Sequence, residues 1–157
     1  MINQEIAQRF NDMAKLLEIK GENIFRILAY QRAGQTIDGL SQDAATLSDE
    51  ELIALPGIGR DLAGKIREYL TTGRIAKYDE LTKEIPASVL ELLRVPGIGP
   101  KKAKQFLETL RISSIDDLEA AIKEGRLKGV PGIQERTEQN LLKGIALARR
   151  RGANWTP

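Results

Sequence analysis

The chain has 157 residues, of which 41% are hydrophobic but only 4% aromatic, and its formal net charge is +2. This length suits one ordinary domain or two small ones, and a core poor in aromatic residues favours packed helices over strands. The absence of cysteine and histidine excludes disulfides, thiolate or imidazole zinc sites, cysteine nucleophiles and histidine-based triads. Any chemistry would therefore use carboxylates, lysine, arginine, hydroxyl groups or the backbone.

Charge is distributed unevenly along the chain. Residues 1–93 hold 11 Lys and Arg against 15 Asp and Glu, whereas residues 94–157 hold 13 against 7. The basic second part indicates an anionic partner, although lysines that only solvate helix faces would give the same count. The amino terminus lacks a basic segment followed by an apolar run, and no stretch reaches the roughly 18 apolar residues of a membrane span. We therefore expect a cytoplasmic protein without a membrane partner.

Helical periodicity runs along the whole chain. Apolar residues at three- and four-residue steps predict a helix over residues 3–19, which Gly21 ends, and a second helix over residues 22–37. A capping-box pattern, Ser48 followed by glutamate three positions later, opens a short helix that ends near residue 55. No segment alternates as a strand does, so the fold class is all-α. Further helices are predicted between Gly59 and Gly73 and over residues 76–84, 89–95, 115–124 and 135–150. One more begins at Pro100 and extends past Leu107.

One turn sequence occurs three times. It reads LPGIG at residues 55–59, VPGIG at 95–99 and VPGI at 130–133, where Gln134 replaces the second glycine. A short helix precedes and a longer helix follows each of the first two copies. A helical solenoid is one reading of such repeats, but solenoids keep their helix faces more faithfully than their turns.

The turn is suited to phosphate. Glycines remove blocking side chains, and the isoleucine between them is expected to point inward and hold the helices together. Because a helix follows directly, free N–H groups and the positive end of its dipole point outward together. A dinucleotide-binding loop would need a preceding strand, and turns that merely join helices are the remaining alternative. The predicted contacts are Gly57, Ile58, Gly59 and Arg60 at the first turn, Gly97, Ile98, Gly99, Lys101, Lys102 and Lys104 at the second, and Gly132 at the third.

These turns resemble the helix-hairpin-helix motif, a DNA backbone-binding unit. Together, RILAYQRA (residues 26–33), LPGIGRDLAGKIREYLTTGRI (55–75) and VPGIGPKKAKQFLETLRISSIDDLE (95–119) resemble the amino-terminal part of X-family DNA polymerases of the polymerase beta type. The resemblance extends over about residues 1–145, and both the order and the spacing of these segments agree with the family.

The resemblance implies two small helical domains, each built around a helix-hairpin-helix motif. Residues 1–78 would form a lyase-type domain with the first hairpin, and residues 79–151 a second DNA-binding domain with a third hairpin-like repeat, followed by a flexible tail at 152–157. Gapped, nicked or single-stranded DNA is the implied partner in DNA repair, and the chain is expected to be a monomer that also meets other repair proteins.

Some family members remove a 5′-deoxyribose phosphate through a Schiff base on lysine, and that lysine matches Lys65. An ordinary lysine is almost fully protonated at neutral pH, so the site must favour the free amine. The sequence departs from the family's pattern at Asp61, Gly64 and Phe25, where the matched residues are lysine, glutamate and histidine. The matched phosphate-pocket positions are Arg26, Tyr30 and Lys77.

The family also places a monovalent cation at each hairpin, held by backbone carbonyls and a DNA phosphate. No cofactor is otherwise required, and Na⁺ or K⁺ is expected only when DNA is bound. The matched carbonyls belong to Ile53, Leu55 and Ile58 at the first hairpin and to Leu93, Val95 and Ile98 at the second.

Polymerase activity is not expected, because the family's three metal-binding aspartates lie in a further domain that cannot fit before Pro157. Two alternatives to plain DNA binding remain open: a deoxyribose-phosphate lyase that uses Lys65, and a protein-interaction module whose hairpins are only joints. In that module the run Arg149–Arg151 or an apolar face would dock a partner. Trp155 is interpreted either as a docking anchor or as part of a disordered end.

Overall fold

A computed structural model describes the backbone of residues 1–153 and the side chains of residues 1–150. The described residues form helices and no strand, which confirms the all-α prediction. They divide into two compact units, Met1–Ile85 and the residues from Pro86 onward. None of the helices in the described ranges is long and apolar enough to cross a bilayer.

The helices follow the predicted order closely. In the first unit they are α1 (Asn3–Lys20), α2 (Ile24–Asp38), a single 3-10 turn (Ala44–Thr46), α3 (Asp49–Ala54), α4 (Gly59–Thr72) and α5 (Ala76–Glu84). In the second unit they are α6 (Val89–Leu92), α7 (Pro100–Leu110), α8 (Ile115–Lys123) and α9 (Glu135–Ala153).

The core of the first unit lies between α1 and α2. The predicted stripe of α1 is fully buried at Phe10 and Met13, and the Phe10 ring meets the Tyr30 ring edge-on with centroids 5.9 Å apart. At Gly34 of α2 an added Cβ would lie 2.6 Å from the Asn11 side-chain oxygen, so glycine permits the close approach of these helices. Aromatic burial and close helix packing therefore hold α2, which carries Arg26 and Tyr30, firmly in place.

A buried asparagine fixes the connection between α2 and α3. Asn3 is 2% exposed, and its side chain donates to the Gln42 carbonyl at 2.7 Å and accepts from the Ala44 N–H at 2.8 Å. Both polar ends of the amide are thus satisfied, as burial requires. The connection leads directly to the capping box of α3, where Ser48 and Glu51 bond reciprocally as predicted.

Helix α5 belongs to the first unit along its whole length. Its Leu81 is 1% exposed, the Arg9 guanidinium of α1 lies 4.5 Å above the Tyr78 ring, and Lys20 pairs with Glu84 at 2.9 Å. The compact units consequently divide after Ile85, whereas the boundary predicted from the sequence lies after residue 78.

The second unit has its own apolar core, in which Leu92, Phe106, Leu118 and Leu127 are each fully buried. Its first helix is shorter than predicted: α6 ends at Leu92 because the following N–H groups bond three residues back and tighten the chain before the turn. In contrast, α9 runs three residues beyond its predicted end. Trp155 and most of the predicted tail at 152–157 lie outside the described residues.

Candidate nucleic-acid interface

The three repeated turns share one backbone hydrogen-bond pattern. In each, the apolar residue before proline donates its N–H to the carbonyl three residues earlier, and the isoleucine donates its N–H to that apolar residue. The two N···O distances are 3.2 and 3.1 Å at the first turn, 3.1 and 3.0 Å at the second, and 3.2 and 3.1 Å at the third. The sequence repeat is therefore also a structural repeat. The donor–acceptor pairs are Leu55–Leu52 and Ile58–Leu55, Val95–Leu92 and Ile98–Val95, and Val130–Leu127 and Ile133–Val130.

Each of the first two turns has an apolar inner side and an open outer side. Ile58 and Ile98 are 4% and 5% exposed, as their predicted inward position requires. Gly57 and Gly97, the residues before them, are exposed and have φ of 76° and 95°, a conformation that other residues adopt only with strain. The isoleucines thus anchor the turns while the glycine backbone faces solvent.

Gly99 differs from the other turn glycines because the fold does not require it. Its φ of −101° and ψ of −177° are accessible to any residue. An added Cβ would meet no atom within 4 Å. Gly59 at the matching position of the first turn has φ of +66°, so backbone conformation accounts for that glycine. Gly99 therefore leaves the backbone before α7 uncovered, although neither conformation nor packing requires a glycine there.

The helices that follow these turns begin without side-chain caps. No side chain bonds to the start of α4 or α7, whereas Asn23, Ser48 and Ser114 cap three other helices of the described chain. The orphan N–H groups of the first turn of α7 therefore point to solvent, where they and the helix dipole favour an anion.

Cations surround the uncapped start of α7. Lys101, Lys102 and Lys104 form no ion pair with any described residue, and the first turn of α7 contains no acidic residue. Arg60 beside the first turn is likewise exposed and unpaired within the described chain, although Asp61 follows it. The second turn therefore presents the stronger positive field for a phosphate.

The first turn borders a groove of about 320 Å³ between α2 and α4. The structure brings together here most of the phosphate-binding residues predicted in the first unit. The groove is lined by Arg26, Ala29, Tyr30, Gly57, Ile58, Gly59, Arg60, Asp61 and Leu62. Arg26 is about half exposed, and its nearest carboxylate, that of Glu22, lies 3.9 Å away. Its guanidinium thus remains available to an anion in the groove.

Lys65 pairs with a carboxylate one helical turn earlier. Its side chain is 18% exposed and its Nζ donates to Asp61 Oδ1 at 2.9 Å. Burial lowers the pKa of Lys65, but the hydrogen bond to Asp61 and the neighbouring Tyr30 hydroxyl outweigh it and leave that pKa above its ordinary value. Tyr30 is 4% exposed, and its burial raises the pKa of its own hydroxyl. This arrangement favours the ammonium form of Lys65.

Lys77, the remaining predicted phosphate ligand, does not line the groove with Arg26 and Tyr30. It lies near the start of α5, where its Nζ is 3.7 Å from Glu80.

The carbonyls predicted to hold a monovalent cation are backbone groups of apolar residues at the first two turns. Those of Leu55 and Val95 each accept one N–H and retain a second lone pair. Within the described residues no group of three or more acidic side chains could hold a metal ion, so a cation at a hairpin would depend on such carbonyls. The donor set suits a weakly bound Na⁺ or K⁺.

The third turn is less suited to an anion than the second. Gly132 is exposed with φ of +82°, but Glu135 and Glu138 occupy the first turn of α9 and offset the positive end of its dipole. A groove of about 520 Å³ lies beside this turn. Lys123 and Lys128 line this groove together with both glutamates, so the third hairpin lacks the purely cationic surroundings of the second.

Sequence reasoning missed Arg32 and Thr36 of α2. The Thr36 hydroxyl donates to the Pro56 carbonyl at 2.9 Å, and a Cβ on Gly57 would lie 2.8 Å from Arg32 Cδ. Both residues therefore support the outer side of the first turn. Their spacing of four residues places them on one face of α2, but only packing shows that this face meets the turn.

Comparison with known proteins agrees with this geometry. Residues 1–75 match the family described as "Helix-hairpin-helix domain", and residues 89–146 match the family described as "SAM-like Helix-hairpin-helix tandem". The chain is therefore a helix-hairpin-helix protein in both of its units.

Its similar relatives are DNA polymerases. The DNA polymerase/3′-5′ exonuclease PolX of Bacillus subtilis (strain 168) is 28% identical over 94% of this chain and 26% of that protein. DNA polymerase lambda of Rattus norvegicus is 30% identical over 66% of this chain and 18% of its own length, and that of Arabidopsis thaliana is 22% identical over 92% and 30%. The chain is homologous to the amino-terminal region of X-family DNA polymerases and spans less than a third of these relatives.

Proposed function

We propose that the chain binds DNA by its phosphate backbone, with little preference for base sequence, as part of DNA repair. The observation that carries the proposal is the second turn: Gly99 is not required by the fold, and it opens an uncapped helix beside three unpaired lysines. A phosphate oxygen can accept from the amides there while the lysines neutralise its charge.

The first unit would receive a DNA end or gap. Its groove holds Arg26 next to the exposed backbone of the first turn, which suits a terminal phosphate that carries more charge than an internal one. Gapped, nicked or single-stranded DNA is therefore the proposed partner. When DNA is bound, the free lone pairs of the Leu55 and Val95 carbonyls, with the DNA phosphate, would hold Na⁺ or K⁺.

Lyase chemistry at Lys65 receives less support from the geometry. A Schiff base begins from the free amine, and Asp61 and Tyr30 both favour the ammonium form. No polymerase step is proposed for the described residues, because two-metal nucleotidyl transfer requires clustered carboxylates.

Gly99→Leu tests the proposal. Anisotropy titrations with labelled gapped, nicked, single-stranded and intact duplex DNA would be repeated at several salt concentrations. For the wild type we expect log K to fall with log salt by about 0.9 per phosphate neutralised on duplex DNA. Gly99→Leu should keep the thermal stability, because position 99 has free space, and should weaken binding to unrelated sequences equally.

Ala120→Leu is the matched control, since Ala120 is an exposed position of α8 in the same unit. It should leave binding unchanged. Binding that does not depend on salt, or a loss confined to one DNA sequence, would contradict backbone recognition. A folded chain that binds no DNA at low salt would instead favour the protein-interaction alternative.

A further inference from the structure

One face of α9 carries an unpaired row of cations. Arg136, Lys143 and Arg150 are exposed and recur every seven residues, with Asn140 and Leu147 between them. We name these five residues the α9 stripe. Seven residues are close to two helical turns, so the three charges form a line about 21 Å long along the helix.

The charges of the α9 stripe are not neutralised by the protein. None of its three cations makes an ion pair with a described residue. Arg149 contrasts with them, because it donates to Asp116 at 2.6 Å and to Glu119 at 2.9 Å. Of the two arginines in this run whose side chains are described, Arg149 is paired and Arg150 is free.

The acidic residues of α9 do not face the stripe. At about 100° per residue, Glu135 and Glu138 lie roughly 100° and 160° around the helix from the centre of the stripe. The remaining carboxylates near the end of α9, those of Asp116 and Glu119, are bonded to Arg149. The stripe therefore keeps its positive field.

Packing places helix α9 against the second turn. Gly144 of α9 lies so close to this turn that an added Cβ would be 3.0 Å from Pro96 Cδ and from Val95 Cγ1. Leu141, one turn earlier, lies under Gly97, with its Cδ2 3.9 Å from a Cβ built there. Around the helix axis, Lys143 and Arg150 lie about 100° and 120° from Gly144, so the stripe flanks the side of α9 that contacts the second turn.

We infer that the α9 stripe is a second DNA-backbone contact, on the helix that packs against the second hairpin but separate from the hairpin amides. A strand whose phosphate lies at Gly99 would pass to Lys143 and Arg150, which neutralise further phosphates without reading bases. The inference rests on the proposed DNA-binding function. It adds a surface that does not use a helix-hairpin-helix turn.

The double variant Lys143→Gln, Arg150→Gln tests the inference on the full chain with duplex DNA. Each lost phosphate contact should reduce the log–log salt slope by about 0.9, so the slope should become shallower by about 2 and affinity should fall by about tenfold or more. Circular dichroism should show an unchanged fold, because both side chains are exposed and unpaired.

Lys15→Gln, Lys83→Gln is the matched control, because it removes the same charge from two exposed, unpaired lysines outside both proposed surfaces. If the stripe variant and this control have equal salt slopes while Gly99→Leu still weakens binding, the inference is wrong and the proposed function stands. If the wild type itself shows no salt-dependent DNA binding, the proposed function fails first. A slope lowered by about 2 in the stripe variant alone supports the inference.

Discussion

Lys65 and Asp61 lie one turn apart on α4, and the lysine Nζ donates to the carboxylate at 2.9 Å. The carboxylate occupies the position where the resemblance to X-family polymerases implies another lysine. A neighbouring cation would lower the pKa of Lys65, whereas the anion and Tyr30 raise it against the effect of burial. Aspartate in place of lysine at position 61 thus reverses the direction in which this neighbour shifts the pKa of Lys65.

We predict that Asp61→Asn lowers the pKa of Lys65, because burial then acts against a weaker opposing interaction. The pKa can be followed by NMR of the lysine side chain, and Lys77, which faces Glu80, is the internal control. Borohydride trapping on DNA with an incised abasic site should give little adduct with the wild type and more with Asp61→Asn. An abundant wild-type adduct that Lys65→Ala abolishes would contradict this view and establish the lyase alternative.

Gly64 and Gly144 are predicted to respond oppositely to alanine. Both lie inside helices, where alanine is favoured over glycine by about 1 kcal/mol. A Cβ at Gly64 would meet nothing within 4 Å, so Gly64→Ala should stabilise the chain by about that amount. A Cβ at Gly144 would press on Pro96 and Val95, so Gly144→Ala should offset the gain and destabilise by roughly 1 kcal/mol.

Urea unfolding measures both changes in the free energy of unfolding. Each variant controls for the other, since the chemical substitution and the helical setting are the same. If Gly144→Ala stabilised the chain as much as Gly64→Ala, α9 could move away from the second turn without a loss of free energy of unfolding. The close contact that positions the α9 stripe would then be in doubt.

The capping box of α3 should make stability depend on pH. The Ser48 backbone N–H, followed by its hydroxyl, lowers the pKa of Glu51. A carboxyl with a depressed folded-state pKa stabilises above its unfolded pKa, and this contribution is lost as pH falls through the folded value. Glu51→Gln should therefore flatten the fall of the melting temperature between about pH 6 and pH 3.

Glu50→Gln is the control for this experiment. Glu50 lies in the same helical turn, and its side chain makes no hydrogen bond or ion pair in the described structure. The Glu50→Gln variant removes the same charge without changing the capping box. A pH dependence that flattens equally in both variants would show that general charge, not the capping interaction, sets the acid sensitivity.

Several features of the fold and the candidate site were predictable because they depend on short-range geometry. Gly21 and Gly73 end helices with φ of 84° and 74°, as a left-handed C-cap requires, and the Ser48 box opens α3. The Pro-Gly-Ile turn is repeated both in sequence and in its backbone hydrogen bonds. The roles of the turn residues and of Lys65 remain predictions until DNA binding and trapping are measured.

Other properties arise only when distant segments meet. The sequence by itself determined the helices, the three turns and the inward isoleucines, because periodicity, caps and glycine conformations act over a few residues. Only the tertiary structure decided that Arg32 supports Gly57 and that Gly144 brings α9 against the second turn. It also decided that Arg149 is bound by α8 while Arg150 stays free. Adjacent arginines are alike in sequence, but they point to different sides of a helix, and only packing determines which side meets carboxylates.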